Sequence, residues 1–84
     1  MISKKEIAEE IRRDGKLLFR VEFGDGIRYE YYLYYGDFYW MEISDWARDQ
    51  ERFPAIRQIS VEKLANDFIN YWKRESVNLW LCGE

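Results

Sequence analysis

The clearest pattern in the chain is a pair of runs in which apolar and polar side chains alternate. One side of the first run carries Leu17, Phe19, Val21 and Phe23, and one side of the second carries Ile27, Tyr29, Tyr31, Leu33 and Tyr35. Gly24-Asp25-Gly26 separates the runs, and a glycine-containing loop of this length is typical of a β-hairpin with a bulged turn. A loop of three residues pairs Val21 with Tyr29 and Phe19 with Tyr31, which predicts that both apolar sets share one face.

A third strand is expected at about residues 38–43, after a turn at Gly36-Asp37. Its register depends on the length of that turn. A three-residue loop (35–37) places Tyr39, Met41 and Ile43 with the apolar set, whereas a two-residue loop reverses the faces and brings Glu42 onto the core side. An unpaired buried carboxylate is costly, which favours the three-residue loop.

Helices are predicted at both ends of this strand region. Ser3 and Glu6 form a capping box for an N-terminal helix that ends at Asp14-Gly15, where Gly15 suits a left-handed C′ position. Ser60 caps a long helix that should run to about Arg74. Its expected apolar face comprises Val61, Leu64, Ala65, Phe68, Ile69 and Trp72, at helical spacing.

The intervening segments are less distinct. Ser44 caps a short middle helix at about 45–52. Residues 55–59 form either a fourth short strand or a connection, and residues 77–82 are too short for periodicity to separate strand from helix. The fold class that follows is α+β, a single domain over residues 1–84: a three- or four-stranded antiparallel sheet carrying an N-terminal helix, a short middle helix and a long C-terminal helix.

Composition supports a folded domain with a small core. Of the 84 residues, 48% are apolar and sixteen are aromatic, so disorder is not expected. The single cysteine, Cys82, allows no intramolecular disulfide, and neither a signal peptide nor a membrane-spanning run is visible. A cytoplasmic location is therefore expected.

Charge is unevenly distributed along the chain. The overall net charge is −3, but residues 21–51 carry −6, while residues 1–20 carry +2 and residues 52–84 carry +1. The acidic middle coincides with the tyrosines. It should attract a protein partner with a basic surface and disfavour direct binding to nucleic acid or to a membrane.

The sequence offers few residues of the types that catalysis requires. The chain lacks histidine, which removes the commonest general base and metal ligand. Gly24-Asp25-Gly26 joins two strands and lacks the spacing of a phosphate loop. Glu42, Asp45 and Asp49 could in principle hold Mg²⁺, but among sixteen carboxylates a solvated helix face is the more ordinary interpretation. We therefore expect neither an enzyme, nor a cofactor, nor a metal site.

The outward face of the expected sheet is the candidate binding surface. It would show Arg20, Glu22, Arg28, Glu30, Tyr32, Tyr34, Phe38, Trp40 and Glu42, which is unusually aromatic for a solvent-facing side. The predicted partner-binding residues are Glu22, Glu30, Glu42, Asp45 and Asp49, which would steer the encounter, and Tyr32, Tyr34 and Trp40, which would anchor it. The competing interpretation is that helices cover both faces, so that the aromatic residues serve only stability.

The general character of the chain resembles many phage-encoded inhibitors of bacterial defence, including anti-CRISPR proteins, and also small immunity proteins. This resemblance lies in size, charge and composition and assigns no role to any residue. The first hypothesis is a non-enzymatic inhibitor or regulator that docks an acidic aromatic face on a basic or nucleic-acid-binding protein. Carboxylates at alternate strand positions, about 6.5–7 Å apart, would then imitate the charges of a phosphate backbone.

Two alternatives stay open at this point. One is a homo-oligomer, for example a homodimer, or a complex subunit that buries the aromatic face. The other is an immunity-type protein that neutralises a toxin.

Overall fold

Five strands and two helices make up the part of the chain described by the computed structural model, which covers residues 3–24, 26–44, 55–74 and 78–81. In chain order they are α1 (Lys4–Asp14), β1 (Lys16–Glu22), β2 (Ile27–Tyr34), β3 (Asp37–Ser44), β4 (Ala55–Ile59), α2 (Val61–Trp72) and β5 (Asn78–Leu81). All neighbouring strands are antiparallel, in the order β4-β3-β2-β1-β5. One helix packs on each face of the sheet.

This architecture corrects the predicted one. The class is α+β, but the sheet has five strands, and the chain returns after α2 to add β5 beside β1. The C-terminal helix is only twelve residues long and ends at Trp72. Residues 55–59 do form a fourth strand, paired with β3. The predicted middle helix at 45–52 lies outside the described residues.

The β1–β2 hairpin forms as predicted. Phe19 pairs with Tyr31 and Val21 with Tyr29, and the amide of Phe23 donates to the carbonyl of Ile27 at 2.9 Å. A bulge between Leu17 and Phe19 shifts the register by one residue. Because a one-residue shift reverses the face, Leu17 lies on the α1 side of the sheet and not with the rest of its predicted set.

The predicted register of β3 is wrong. Tyr34 pairs with Asp37 across a two-residue loop, Tyr35-Gly36, with φ values of 49° and 79°. Positive φ at both positions is what a type I′ turn requires, and this turn matches the twist of the flanking strands. Tyr39, Met41 and Ile43 therefore face α1. Glu42 faces the other way beside Tyr29, where it stays partly exposed, so the expected burial penalty does not arise.

The cap of α1 is confirmed, but its end differs from the prediction. The Ser3 hydroxyl accepts a hydrogen bond from the Glu6 amide at 3.2 Å. Gly15 has φ −78° and ψ 172°, so it is extended and not left-handed. Its amide donates to the carbonyl of Ile11 at 2.7 Å, which closes the helix and turns the chain directly into β1.

Each face of the sheet has its own core. On the α1 side, Ala8 and Ile11 pack against Tyr32 and Met41. On the α2 side, a larger aromatic cluster surrounds Phe19, Val21 and Tyr31 and includes Leu64, Phe68 and Tyr71 of the helix. The interpretation in which both faces are covered is therefore the correct one, and the notion of one wholly exposed aromatic face is wrong.

Candidate functional site

The two-residue turn distributes the predicted binding residues over two faces. Glu22, Glu30, Tyr32 and Tyr34 lie on the α1 side, whereas Trp40 and Glu42 lie on the α2 side. Asp45 and Asp49 fall outside the described residues. The strand carboxylates therefore do not form one row on one face, which removes the structural basis for imitating a phosphate backbone.

Glu30 is the centre of an internal charged cluster and not a surface steering group. Only 3% of it is exposed. Its carboxylate accepts a hydrogen bond from the Tyr32 hydroxyl at 2.8 Å and lies 3.3 Å from Nε of Arg28 and 3.4 Å from Nε of Arg12. Two guanidinium groups next to one carboxylate compensate for the burial of its charge.

Tyr32 is equally enclosed, with 5% of its surface exposed. Burial first, and the Glu30 charge second, raise the pKa of Tyr32 to about 12. The expectation that Glu30 and Tyr32 face solvent is therefore wrong. On the same face, Glu22 lies 3.2 Å from Nε of Arg20, so this carboxylate too has a cationic neighbour.

Among the residues that the structure describes, the most exposed large aromatic side chain is at the β2–β3 turn. Tyr35 is 88% exposed and adopts the left-handed backbone conformation. Its ring meets the ring of Tyr34 edge to face, with centroids 4.6 Å apart. The Tyr34 hydroxyl donates to the Glu10 carboxylate, which links the turn to α1. This hydrogen bond is the main reason that the pKa of Tyr34 is raised to about 12.

Carboxylates surround these two tyrosines. Asp37 is exposed directly after the turn, and the Asp14 charge contributes to the raised pKa of Tyr34, which places it nearby. Asp14 is held by Arg13, whose Nη2 lies 2.9 Å from Oδ2, and this contact lowers the pKa of Asp14. We call Glu10, Asp14, Tyr34, Tyr35 and Asp37 the tyrosine tip. With Arg13 counted, three carboxylates and one guanidinium leave a net charge of −2.

A second concave feature lies between α2 and the sheet. It is a pocket of about 200 Å³ lined by Tyr29, Tyr31, Trp40, Arg57, Ile59, Lys63, Asp67 and Tyr71. Asp67, 9% exposed, accepts from the Tyr31 hydroxyl at 2.8 Å and from Nζ of Lys63 at 2.9 Å. The Arg57 guanidinium lies over the Trp40 ring, 5.6 Å from its centroid.

The tyrosines of this pocket are poor proton acceptors or nucleophiles. Burial is the first cause that raises the pKa of Tyr29, Tyr31 and Tyr71. Their hydroxyls therefore stay protonated at neutral pH and act as hydrogen-bond donors. This arrangement orients polar groups within the α2 core.

Sequence reasoning found part of the tyrosine tip and missed the rest. Tyr34 was predicted as an anchor. Tyr35 was missed because its place in the alternating run assigned it to the core set. Its positive φ, which puts it in the turn, cannot be read from the sequence pattern. Asp67 and Tyr71 were missed because the apolar stripe of α2 was placed elsewhere. Leu64, Asp67, Phe68 and Tyr71 also follow helical spacing, so their pattern was available as an alternative.

Within the described ranges, no group of three or more carboxylate or cysteine side chains is arranged to hold a metal ion. Neither α1 nor α2 has the length and apolar character needed to cross a bilayer. Comparisons with protein-family models, with curated proteins and with solved structures gave no match, so a function has to be inferred from the residues and their geometry.

Proposed function

We propose that this chain is a non-enzymatic binding protein that docks its tyrosine tip on a basic surface of a partner protein. The observation that carries the proposal is the conformation of Tyr35. The first position of a type I′ turn favours Asn, Asp or Gly, and the left-handed conformation costs other residues about 1–2 kcal/mol. Local strain of this kind is concentrated at functional sites.

Packing offers little compensation for that strain. The Tyr35 ring touches Tyr34, yet 88% of the residue is open to solvent. Tyrosine is among the residues that dominate binding hot spots, because a large rigid ring with a polar end loses little conformational entropy on binding. An exposed tyrosine on a short turn fits the role of an anchor that a partner pocket encloses.

The charges around the anchor indicate the chemistry of the partner. A net charge of −2 at the tip favours a basic surface and accelerates encounter with it. The same charge disfavours phosphate backbones and anionic membranes. A partner that itself binds nucleic acid through a basic surface would be blocked by such contact, which is the activity of an inhibitor or an immunity-type protein.

The test compares tagged wild-type protein with Tyr35→Asn in capture from cells that express the chain. Asn-Gly is a favoured pair for a type I′ turn, so this variant removes the ring while retaining the turn. We expect a basic protein that wild type retains at low salt and releases at high salt, and at least a tenfold weaker affinity for Tyr35→Asn.

A matched control is Glu9→Gln, which changes an exposed residue of α1 without altering the turn. The proposal fails if the captured partner binds wild type and Tyr35→Asn with equal affinity. Thermal unfolding of both proteins verifies that the loss is local, since Tyr35→Asn should match or exceed wild type in stability.

A further inference from the structure

Helix α2 carries an apolar stripe that does not contact the sheet. Leu64, Phe68 and Tyr71 face the core. Val61, Ile69 and Trp72 are instead 61%, 48% and 64% exposed, and Ala65 is exposed as well. We call Val61, Ala65, Ile69 and Trp72 the outer stripe.

The outer stripe is continuous along the whole helix. At 3.6 residues per turn its four members fall within an arc of about 80°, roughly a quarter of the helix circumference. Trp72 also stacks on Phe68, with centroids 5.7 Å apart, so one end of the stripe adjoins the core. Solvent exposure of contiguous apolar side chains on a small domain is a feature of interaction surfaces.

The charges beside the stripe are arranged for self-recognition. Glu62 lies in the first turn of α2 and Lys73 at its C-cap. At about 100° per residue both fall on the same flank of the stripe. In an antiparallel helix pair, residues of the same flank meet across the interface, so Glu62 of each copy approaches Lys73 of the other.

The apolar positions match in the same arrangement. A twofold axis near the middle of α2 places Ala65 opposite Ile69 and Val61 opposite Trp72. The small side chain at the centre lets two helices approach closely, while the large ring at one end covers the valine of the other copy. The dipoles of the two helices are then antiparallel, which also favours association.

We propose that the chain forms a twofold-symmetric homodimer through the outer stripe, with α2 of one copy antiparallel to α2 of the other. The contact uses a twelve-residue helix and is smaller than the roughly 800 Å² per partner of a standard interface. The dimer is therefore weak and depends on concentration. The proposal is independent of the tyrosine tip, because the tip lies on the α1 side of the sheet.

The first measurement is analytical ultracentrifugation of wild type over a wide concentration range. The mass should rise from 10.4 kDa toward twice that value. Ile69→Asp places a carboxylate in the centre of the stripe and should weaken association at least tenfold. Glu9→Lys, a charge change on the α1 side, is the matched control and should associate like wild type.

The second measurement tests the pairing itself. Glu62→Lys leaves only lysines at the two contact positions, and Lys73→Glu leaves only glutamates, so each variant alone should stay monomeric. Mixing them restores both opposite-charge contacts in a heterodimer, and the mixture should sediment faster than either component. Circular dichroism of each variant verifies that α2 is retained.

Three results would overturn the proposal. The first is wild type that remains at 10.4 kDa at the highest concentration. The second is Ile69→Asp that associates as strongly as wild type, which would place the contact elsewhere. The third is a mixture of the two charge variants that stays monomeric while both variants are folded.

Discussion

A Cβ atom added at Gly15 would lie 2.5 Å from the carbonyl oxygen of Ile11 and 3.3 Å from that of Leu33. Both neighbours are backbone atoms, one at the end of α1 and one in β2, and neither can rotate away. The glycine is therefore required by the close approach of three backbone segments, even though its own torsion angles are open to any residue.

We expect Gly15→Ala to lower the free energy of unfolding by about 1–3 kcal/mol, because the methyl group must displace the helix end from the sheet. Gly24→Ala is the matched control. Nothing lies within 4 Å of a Cβ added there, so its effect should be close to zero or slightly stabilising. Urea denaturation of both variants checks this, and equal stability of the two would contradict the steric explanation.

At the scale of single elements, α1 is attached to the sheet by more than its two buried apolar residues. Arg12 reaches the buried carboxylate of Glu30, and the Glu10 carboxylate accepts a hydrogen bond from the Tyr34 hydroxyl. These polar contacts join the helix to β2 at two points. They compensate for an apolar stripe in which only Ala8 and Ile11 are buried.

Glu30→Gln should therefore destabilise the protein by about 1–3 kcal/mol, since it removes the negative charge that two guanidinium groups share. The partial exposure of Arg12 and Arg28 keeps the effect below that of a fully buried pair. Glu9→Gln on the exposed side of α1 should change stability by only a few tenths of a kcal/mol. Thermal unfolding of the two variants measures the difference, and comparable losses would show that Glu30 has no special role.

The elements were predictable from sequence to the extent that local patterns determine them. The capped start of α1, the β1–β2 hairpin and the cap of α2 at Ser60 all follow from neighbouring residues. The register of β3 does not, because a one-residue difference in loop length exchanges its faces. The chain adopts the two-residue turn at Tyr35-Gly36 despite the strain at Tyr35, and the cost assigned to Glu42 does not arise because Glu42 remains partly exposed.

The orientation of α2 was not predictable for a different reason. Its apolar residues span a wide arc, and two stripes satisfy helical spacing. The stripe that faces the sheet contains Asp67, so a search for apolar positions alone does not select it. Its burial is acceptable only because Tyr31 and Lys63 supply hydrogen bonds, and the Tyr31 contact spans 36 positions of sequence. The four residues of β5 were too few for any period to identify.

At the scale of the whole molecule, the strand carboxylates that the structure describes within residues 21–51 do not share one face: Glu22 and Glu30 lie on the α1 side and Glu42 on the α2 side. Glu30 is neutralised by Arg12 from outside that segment and by Arg28 within it. Charge summed along a chain describes its surface field only when the charges stay exposed. Among the described residues, the tyrosine tip brings exposed carboxylates together with an exposed aromatic ring, and of its members only Tyr34 was predicted as a binding residue.

The buried tyrosines predict how stability depends on pH. The pKa of Tyr32 is raised from about 10 in the unfolded chain to about 12 in the folded protein. Between these values the unfolded state has lost the proton and the folded state has kept it, so stability falls as pH rises. The contribution is fully present below pH 10 and disappears as pH passes through 12. The pKa of Tyr31 is raised as well, so its contribution to stability changes with pH in the same direction.

The free energy of unfolding of Tyr32→Phe should therefore decline less steeply above about pH 10 than that of wild type. At neutral pH it should be less stable by about 1 kcal/mol, because Glu30 loses a hydrogen bond. Urea denaturation on both sides of pH 10 gives the two slopes. Parallel declines for wild type and Tyr32→Phe would show that Tyr32 is not the titrating group.

The position of β5 has a consequence for folding during synthesis. Strands β1 to β4 form a meander in which each strand pairs with the next, so they can assemble as they leave the ribosome. β1, however, gains its second neighbour only when residues 78–81 have emerged. Until then the backbone groups along one edge of β1 are open to other chains, so a product that stops before residue 78 should aggregate through that edge more readily than a chain that includes β5.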